Sequence, residues 1–217
     1  MYAWNKTAFR AASDTPLQHA AHIDLTDITT GMIAGTKVAT RVGWRPVETV
    51  SVGDHVLTFD GGLQEVVAID HVDVWTDSGE AAYDDWPLVV PAGALGNQAE
   101  IMILAEQPVM IESDAAERLY GDPFALIPAA SLEDFRGITR VPPGTRYKIV
   151  RLHFAQDEIV FANVGALFYC PRKGDIMSNM FAAPVETQYQ VRSMDDADLL
   201  VACLENDIVD RRVCSFG

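Results

Sequence analysis

The sequence predicts a mainly β domain, interrupted by short helices and followed by one helix near the C-terminus. Apolar runs of about four to eight residues, rich in Val and Ile, recur at close spacing between residues 37 and 170, the mark of many short strands. Gly, Pro and Asp separate these runs where the chain must turn. Helical spacing of apolar residues is sustained only from Met194 to Glu205.

Residues 1–30 are polar and aperiodic, with Thr15-Pro16 early and Thr26, Thr29 and Thr30 at the end, and read as a lead-in segment. Lys37-Val-Ala-Thr40 is a short strand and Arg41-Val-Gly-Trp44 a turn. Pro46 to Val50 then runs into a second turn at Val52-Gly-Asp54. His55 to Phe59 is a strand closed by Asp60-Gly-Gly62. Asp-Gly supplies the positive φ of tight hairpin turns, so a returning strand is expected from Gln64 to Trp75. Tyr83 to Val90 is irregular and then apolar, stopped by Pro91, and Ala92 to Gly96 is a small-residue turn. Glu100 to Ile111 reads as one strand with Pro108 inside it, hence an edge or a bulge. Asp114-Ala-Ala-Glu117 and Ser131-Leu-Glu-Asp134 both fit a capping box and predict two short helices. Tyr147–Phe154 and Glu158–Phe161 form a hairpin candidate around Ala155-Gln-Asp157, and Ala166–Cys170 is the last strand. Beyond Pro171, Leu199, Leu200, Cys203 and Leu204 give the C-terminal helix an apolar stripe expected to pack back on the β domain.

Hydrophobic residues make up 49% of the 217 and charged residues 22%, an ordinary globular composition with room for one sizeable core. The formal charge of −15 argues against a nucleic-acid partner, which needs clustered Lys and Arg, and against an anionic membrane surface. No apolar run approaches the roughly 18 residues of a membrane span, and residues 1–14 carry scattered charges without the apolar h-region expected of a secretory signal. Cys170, Cys203 and Cys214 are too few, and odd in number, for a disulfide framework. A reducing compartment, the cytoplasm by default, is therefore expected, and a signal-less export route would leave no mark.

Motifs with their own chemistry are weak. Gly31-x3-Gly35-Thr-Lys37 is one residue short of a phosphate loop and precedes a strand instead of a helix. His19, His22 and Asp24 supply only part of a metal site, so no metal and no cofactor are expected. Asp195, Asp196 and Asp198 fall where a helix begins and complement its dipole. Glu106, Glu112, Asp114 and Glu117 form a carboxylate cluster whose use as an acid pair depends on distances.

The segments Ala34-Gly-Thr-Lys-Val-Ala-Thr40, Gly43-Trp-Arg-Pro-Val-Glu48, Gly53-Asp-His-Val-Leu-Thr58 and Asp60-Gly-Gly62 resemble the opening of a Hint domain, the fold shared by Hedgehog C-terminal domains and inteins. Val90–Gly96 and Ile101–Gln107 look like later blocks of bacterial Hint proteins, and Phe161-Ala-Asn-Val-Gly165 like the terminal block. The resemblance covers residues 31–171, about two thirds of the chain, and leaves 172–217 as a tail with a short amphipathic helix. It implies a compact, horseshoe-like all-β fold of short antiparallel strands and hairpins.

It also implies a chemistry. In that family a Cys, sometimes Ser or Thr, at the first position attacks the preceding carbonyl and turns an amide into a more labile ester or thioester. A His in a later strand protonates the departing nitrogen, and in splicing members a terminal Asn then cyclises. Here the first position falls on Gly31, and the His position falls near Pro108, within Ala105-Glu-Gln-Pro-Val109. Where bacterial relatives carry His before Glu in the last hairpin, this chain has Asp157-Glu158. Asn163 is followed by Val164 and Gly165, with no splice acceptor. The weak catalytic candidates that remain are Thr30, whose hydroxyl a register shift would present, His153 as a base (with His55 a further strand His), and Asn163.

The leading expectation is a Hint domain that has lost autoproteolysis and splicing and persists as a structural or binding module, with a peptide or another protein domain as partner on its concave surface. A second reading is residual self-processing near Thr30-Gly31 or Asn163-Val164. A third is an unrelated hydrolase built on Glu106, Glu112 and Asp114, since fold does not dictate function.

Overall fold

The computed structural model describes residues 30–75, 82–143, 146–172 and 189–214. Among these, strands run in chain order as β1 (Met32–Ile33), β2 (Lys37–Thr40), β3 (Gly43–Pro46), β4 (His55–Thr58), β5 (Gly62–Glu65), β6 (Ala68–Trp75) and β7 (Leu88–Val90). They continue as β8 (Ile101–Ile103), β9 (Pro108–Glu112), β10 (Phe124–Pro128), β11 (Thr139–Arg140), β12 (Arg146–His153), β13 (Glu158–Ala162) and β14 (Ala166–Cys170). Two α-helices, α1 (Asp114–Tyr120) and α2 (Met194–Cys214), accompany them. The strands form two curled antiparallel sheets, ordered β11-β7-β8-β1-β12-β6 and β10-β9-β14-β13-β2-β4-β5, with β3 paired to β2.

The expected hairpin at Asp60-Gly-Gly62 is present. Gly62 sits at φ +67°, Thr58 Oγ1 donates to its carbonyl at 3.1 Å, and Leu57 faces Leu63 across the pair. A second hairpin turns at Arg41-Val42, so Gly43 and Trp44, expected in a turn, belong to β3 opposite Thr40 and Ala39. Val47–Thr49 makes a single 3-10 turn between β3 and the turn at Val52-Gly-Asp54.

Two expected continuous strands and one expected hairpin are broken, each at a point where the chain leaves one sheet for the other. The run from Gln64 to Trp75 is two strands: the Val66 N–H bonds back to Asp54 O at 2.9 Å, while the Val67 N–H already reaches His153 O at 2.8 Å in the other sheet. Glu100–Ile111 divides into β8 and β9 around a turn closed by Gln107 N–H to Leu104 O, 3.1 Å, and Pro108 opens β9. The hairpin expected between β12 and β13 does not exist. β12 pairs with β1 and β6, whereas β13 pairs with β14, β2 and β4. Apolar patterning reports burial but not partners, and strands that switch sheets at a bend bury both halves.

The helices differ from expectation in four respects. Ser113, not Asp114, is the N-cap of α1, its Oγ accepting the Ala116 N–H at 3.0 Å. Ser131 starts no helix of its own. It lies inside the 3-10 turn Ala129–Leu132 and donates to Pro128 O at 2.8 Å. α2 runs further than the expected Met194–Glu205 and is capped by Ser193, whose Oγ accepts the Asp196 N–H at 3.2 Å and donates to Asp196 Oδ2 at 2.8 Å. Ala197, Leu200, Val201 and Leu204 bury one face of α2 in the main core, as i, i+3, i+4, i+7 spacing requires. Leu199, expected in that stripe, is 52% exposed on the far side.

The main core draws Met32, Leu88, Ile103 and Val150 from the first sheet and Val38, Val56, Val160 and Phe168 from the second. No helix among the described residues is long and apolar enough to cross a membrane. The lead-in residues, including His19, His22 and Asp24, lie outside the described residues.

Candidate functional site

The corners where strands change sheets converge on one small cavity. Thr30 and Gly31 enter it ahead of β1, Gln107 comes from the β8–β9 corner, Arg151 and His153 from β12, and Cys170 from the end of β14. β1 runs antiparallel to β12 with Met32 opposite Val150, so the register carried one residue further sets Gly31 opposite Arg151. The cavity holds about 20 Å3, roughly the space one water molecule needs.

Both polar atoms of the Thr30–Gly31 peptide are held by side chains. Arg151 Nε donates to the Thr30 carbonyl at 2.8 Å, and the Gly31 N–H donates to Gln107 Oε1 at 2.8 Å. Gln107 is 1% exposed and fully used, since its Nε2 donates to Pro108 O and Tyr169 O, both at 2.9 Å. Gly31 adopts φ +133°, a conformation essentially reserved for glycine. A Cβ there would lie 2.6 Å from Ile149 Cγ2, 3.0 Å from Arg151 Cγ and 3.3 Å from Val150 O.

The other candidates divide. His153 shares the cavity with Thr30, but its Nε2 faces Asp70 Oδ2 at 2.8 Å and its Nδ1 faces Pro171 O at 3.4 Å. Both ring nitrogens are turned to these oxygens and neither to Thr30. His55 lies in the distal hairpin opposite Glu65, outside the cavity lining. Asn163 is not brought to the cavity either. It occupies the β13–β14 turn at φ +43°, where its Oδ1 accepts the Lys37 N–H at 2.7 Å and its own N–H donates to Lys37 O at 2.8 Å. That pair of bonds anchors the turn to the start of β2, a structural use of an Asn that tolerates the left-handed region.

Gln107, Arg151 and Cys170 escaped the sequence reading as site residues. The Cys170 thiol is buried, and that burial, helped by Glu158, pushes its pKa up to about 12, which marks an inert thiol. Asp157 and Glu158 are also buried, and Asp157 Oδ1 accepts the Arg172 N–H at 2.9 Å. Of the carboxylate cluster, Glu112 and Asp114 line a groove of about 260 Å3 beside α2, while Glu106 is exposed and lies outside it. Among the described residues no group of three His, Cys, Asp or Glu is placed to hold a metal ion.

A family model of the Hint domain matches residues 30–167, a stretch that holds every strand but the end of β14 and all of the cavity lining but Tyr169, Cys170 and Pro171. The chain belongs to the Hint domain family. Among solved structures, this Hint domain is similar to the bacterial intein-like domain of Clostridium thermocellum, with 15% identity over 64% of this chain and 98% of that one and a TM-score of 0.45. The gp41-1 intein gives 13% identity over 63% and 97%, TM-score 0.38. The MchDnaB-1 intein gives 18% over 62% and 98%, TM-score 0.36. No curated protein matches the chain.

Proposed function

We propose that this Hint domain no longer cuts its own chain and is retained as a structural or binding module. The conformation of Gly31 carries this reading. The position that the family resemblance gives to the nucleophile has no side chain, and a φ of +133° with Ile149 against it leaves no room for one. The departing nitrogen fares no better. It would need a proton, yet Gln107 presents an acceptor oxygen to the Gly31 N–H and commits its own N–H groups elsewhere.

Residual hydrolysis at Thr30–Gly31 has one observation in its favour. Arg151 Nε is already bonded to the carbonyl oxygen that would take negative charge in a tetrahedral intermediate. Charge stabilisation without a nucleophile, a base or a leaving-group acid is a small part of the machinery. Cleavage at Asn163–Val164 is disfavoured by the tie between Asn163 and Lys37. Glu106 stands apart from Glu112 and Asp114, which weakens the hydrolase reading.

A purification tag fused ahead of Met1 tests the proposal simply. The tag is expected to stay on the chain through expression and purification. A product with Gly31 as its new N-terminus would overturn the proposal.

A further inference from the structure

The cavity at the old junction admits about one water molecule, so any peptide this domain binds has to sit elsewhere. The outer face of the second sheet offers a place. Met110, Leu126 and Ile159 form a buried patch separate from the main core, with Phe59, Phe124 and Tyr189 packed against it. The Phe59 and Phe124 rings meet edge to face at 5.0 Å between centroids. A groove of about 400 Å3 opens over these rings and is rimmed by Asp60, Asp122 and Arg192.

The rim chemistry selects the occupant. Asp60 Oδ2 accepts the Tyr189 hydroxyl and Asp122 Oδ1 accepts the Phe124 N–H at 2.9 Å. The second oxygen of each carboxylate has no protein partner among the described residues. Arg192 stacks its guanidinium 4.2 Å over Tyr120, and its buried Nε lacks an acceptor. Two carboxylates against one guanidinium leave the rim net negative on a chain of charge −15. Aromatic faces with carboxylates beyond them attract a cation on an apolar stem.

We propose that this groove binds a peptide segment bearing an arginine or lysine. The cationic side chain lies along Phe59 and Phe124 and reaches Asp60 and Asp122. This rests on the reading of the domain as a binding module. Its test is separate from that of the uncut junction, which is read from chain mass alone.

The test is an NMR titration of the full chain with N-acetyl-arginine N-methylamide, alongside the neutral, nearly isosteric citrulline compound. Saturable shifts centred on Phe59, Phe124 and Met110 are expected with the arginine probe, with a millimolar dissociation constant that weakens as salt rises. The citrulline compound is expected to bind at least about fivefold more weakly, since only the charge is removed. D122N is expected to reduce binding by a similar factor. F124L, which keeps apolar bulk but removes a ring, checks the aromatic contribution should D122N fail to fold. Equal binding of citrulline, no shift up to about 20 mM probe, or tighter binding of acetate at the same residues would each overturn the proposal.

Discussion

Substituting Gly31 by alanine adds one methyl group at the point the whole account turns on. The backbone at φ +133° costs a non-glycine residue about 1–3 kcal/mol. The new methyl would stand 2.6 Å from Ile149 Cγ2, and Ile149 is fully buried in a small cluster with Ile33, Val74 and Leu104, so it cannot swing aside freely. Overpacking of that kind costs about 1–3 kcal/mol more. The expected loss is therefore about 2–6 kcal/mol, a large part of the roughly 5–15 kcal/mol that holds a typical domain folded. Urea unfolding followed by circular dichroism and tryptophan fluorescence measures it from the midpoint and slope. A G31A chain within about 0.5 kcal/mol of the parent, the range of ordinary surface substitutions, would refute the reasoning. It would show that a side chain, and hence a nucleophile, fits at this position.

Other outcomes follow from the same contacts. Gln107→Ala removes the three hydrogen bonds of a buried side chain at about 1 kcal/mol each and should cost about 3 kcal/mol or more in the same unfolding assay; a loss below about 1 kcal/mol would contradict the clamp. Asn163→Ala loses the Lys37 bond and strains a left-handed residue, for about 2–3 kcal/mol, whereas Asn163→Gly loses about 1, giving the stability order Asn, Gly, Ala. The alkaline limb should be steep, because burial raises Cys170, Tyr147 and Tyr169 to about 12 each. The folded state holds these protons more tightly than the unfolded chain, so the stability they contribute is full below about pH 9 and is lost as pH rises towards about 12. Urea midpoints that stay level from pH 8 to about pH 11 would refute this.

The parts of this fold that could be read from residue order are those set by local chemistry. Asp60-Gly-Gly62 announces its hairpin because Gly62 alone needs a positive φ there, and the spacing of Leu199, Leu200, Cys203 and Leu204 announces the helix, although the face it buries is that of Ala197, Leu200, Val201 and Leu204. Sheet membership was not legible. Val66 and Val67 are adjacent valines that bond to different sheets, and nothing in their side chains says so. The site was legible only through its gap. Gly31 stands where the family resemblance asks for a nucleophile, but its two partners are remote in sequence: Gln107 lies 76 residues away, and Arg151 lies 121 residues from Thr30. Asn163 was flagged by its motif, while its anchoring role depends on a backbone angle and a bond to Lys37 that no local pattern encodes.

The central claim, an uncut junction between Thr30 and Gly31, is tested most directly by intact mass spectrometry of the purified chain with a small reporter at each end. It is run before and after incubation with a strong thiol nucleophile, on the parent and on G31C. The account predicts a single unchanged mass for the parent, and an uncut chain for G31C as well, because the His position falls near Pro108 and Gln107 turns only an acceptor oxygen to the amide N–H that would have to leave. A parent fragment ending at Thr30, or one ending at Asn163, would contradict it and would show that this Hint domain still cuts itself.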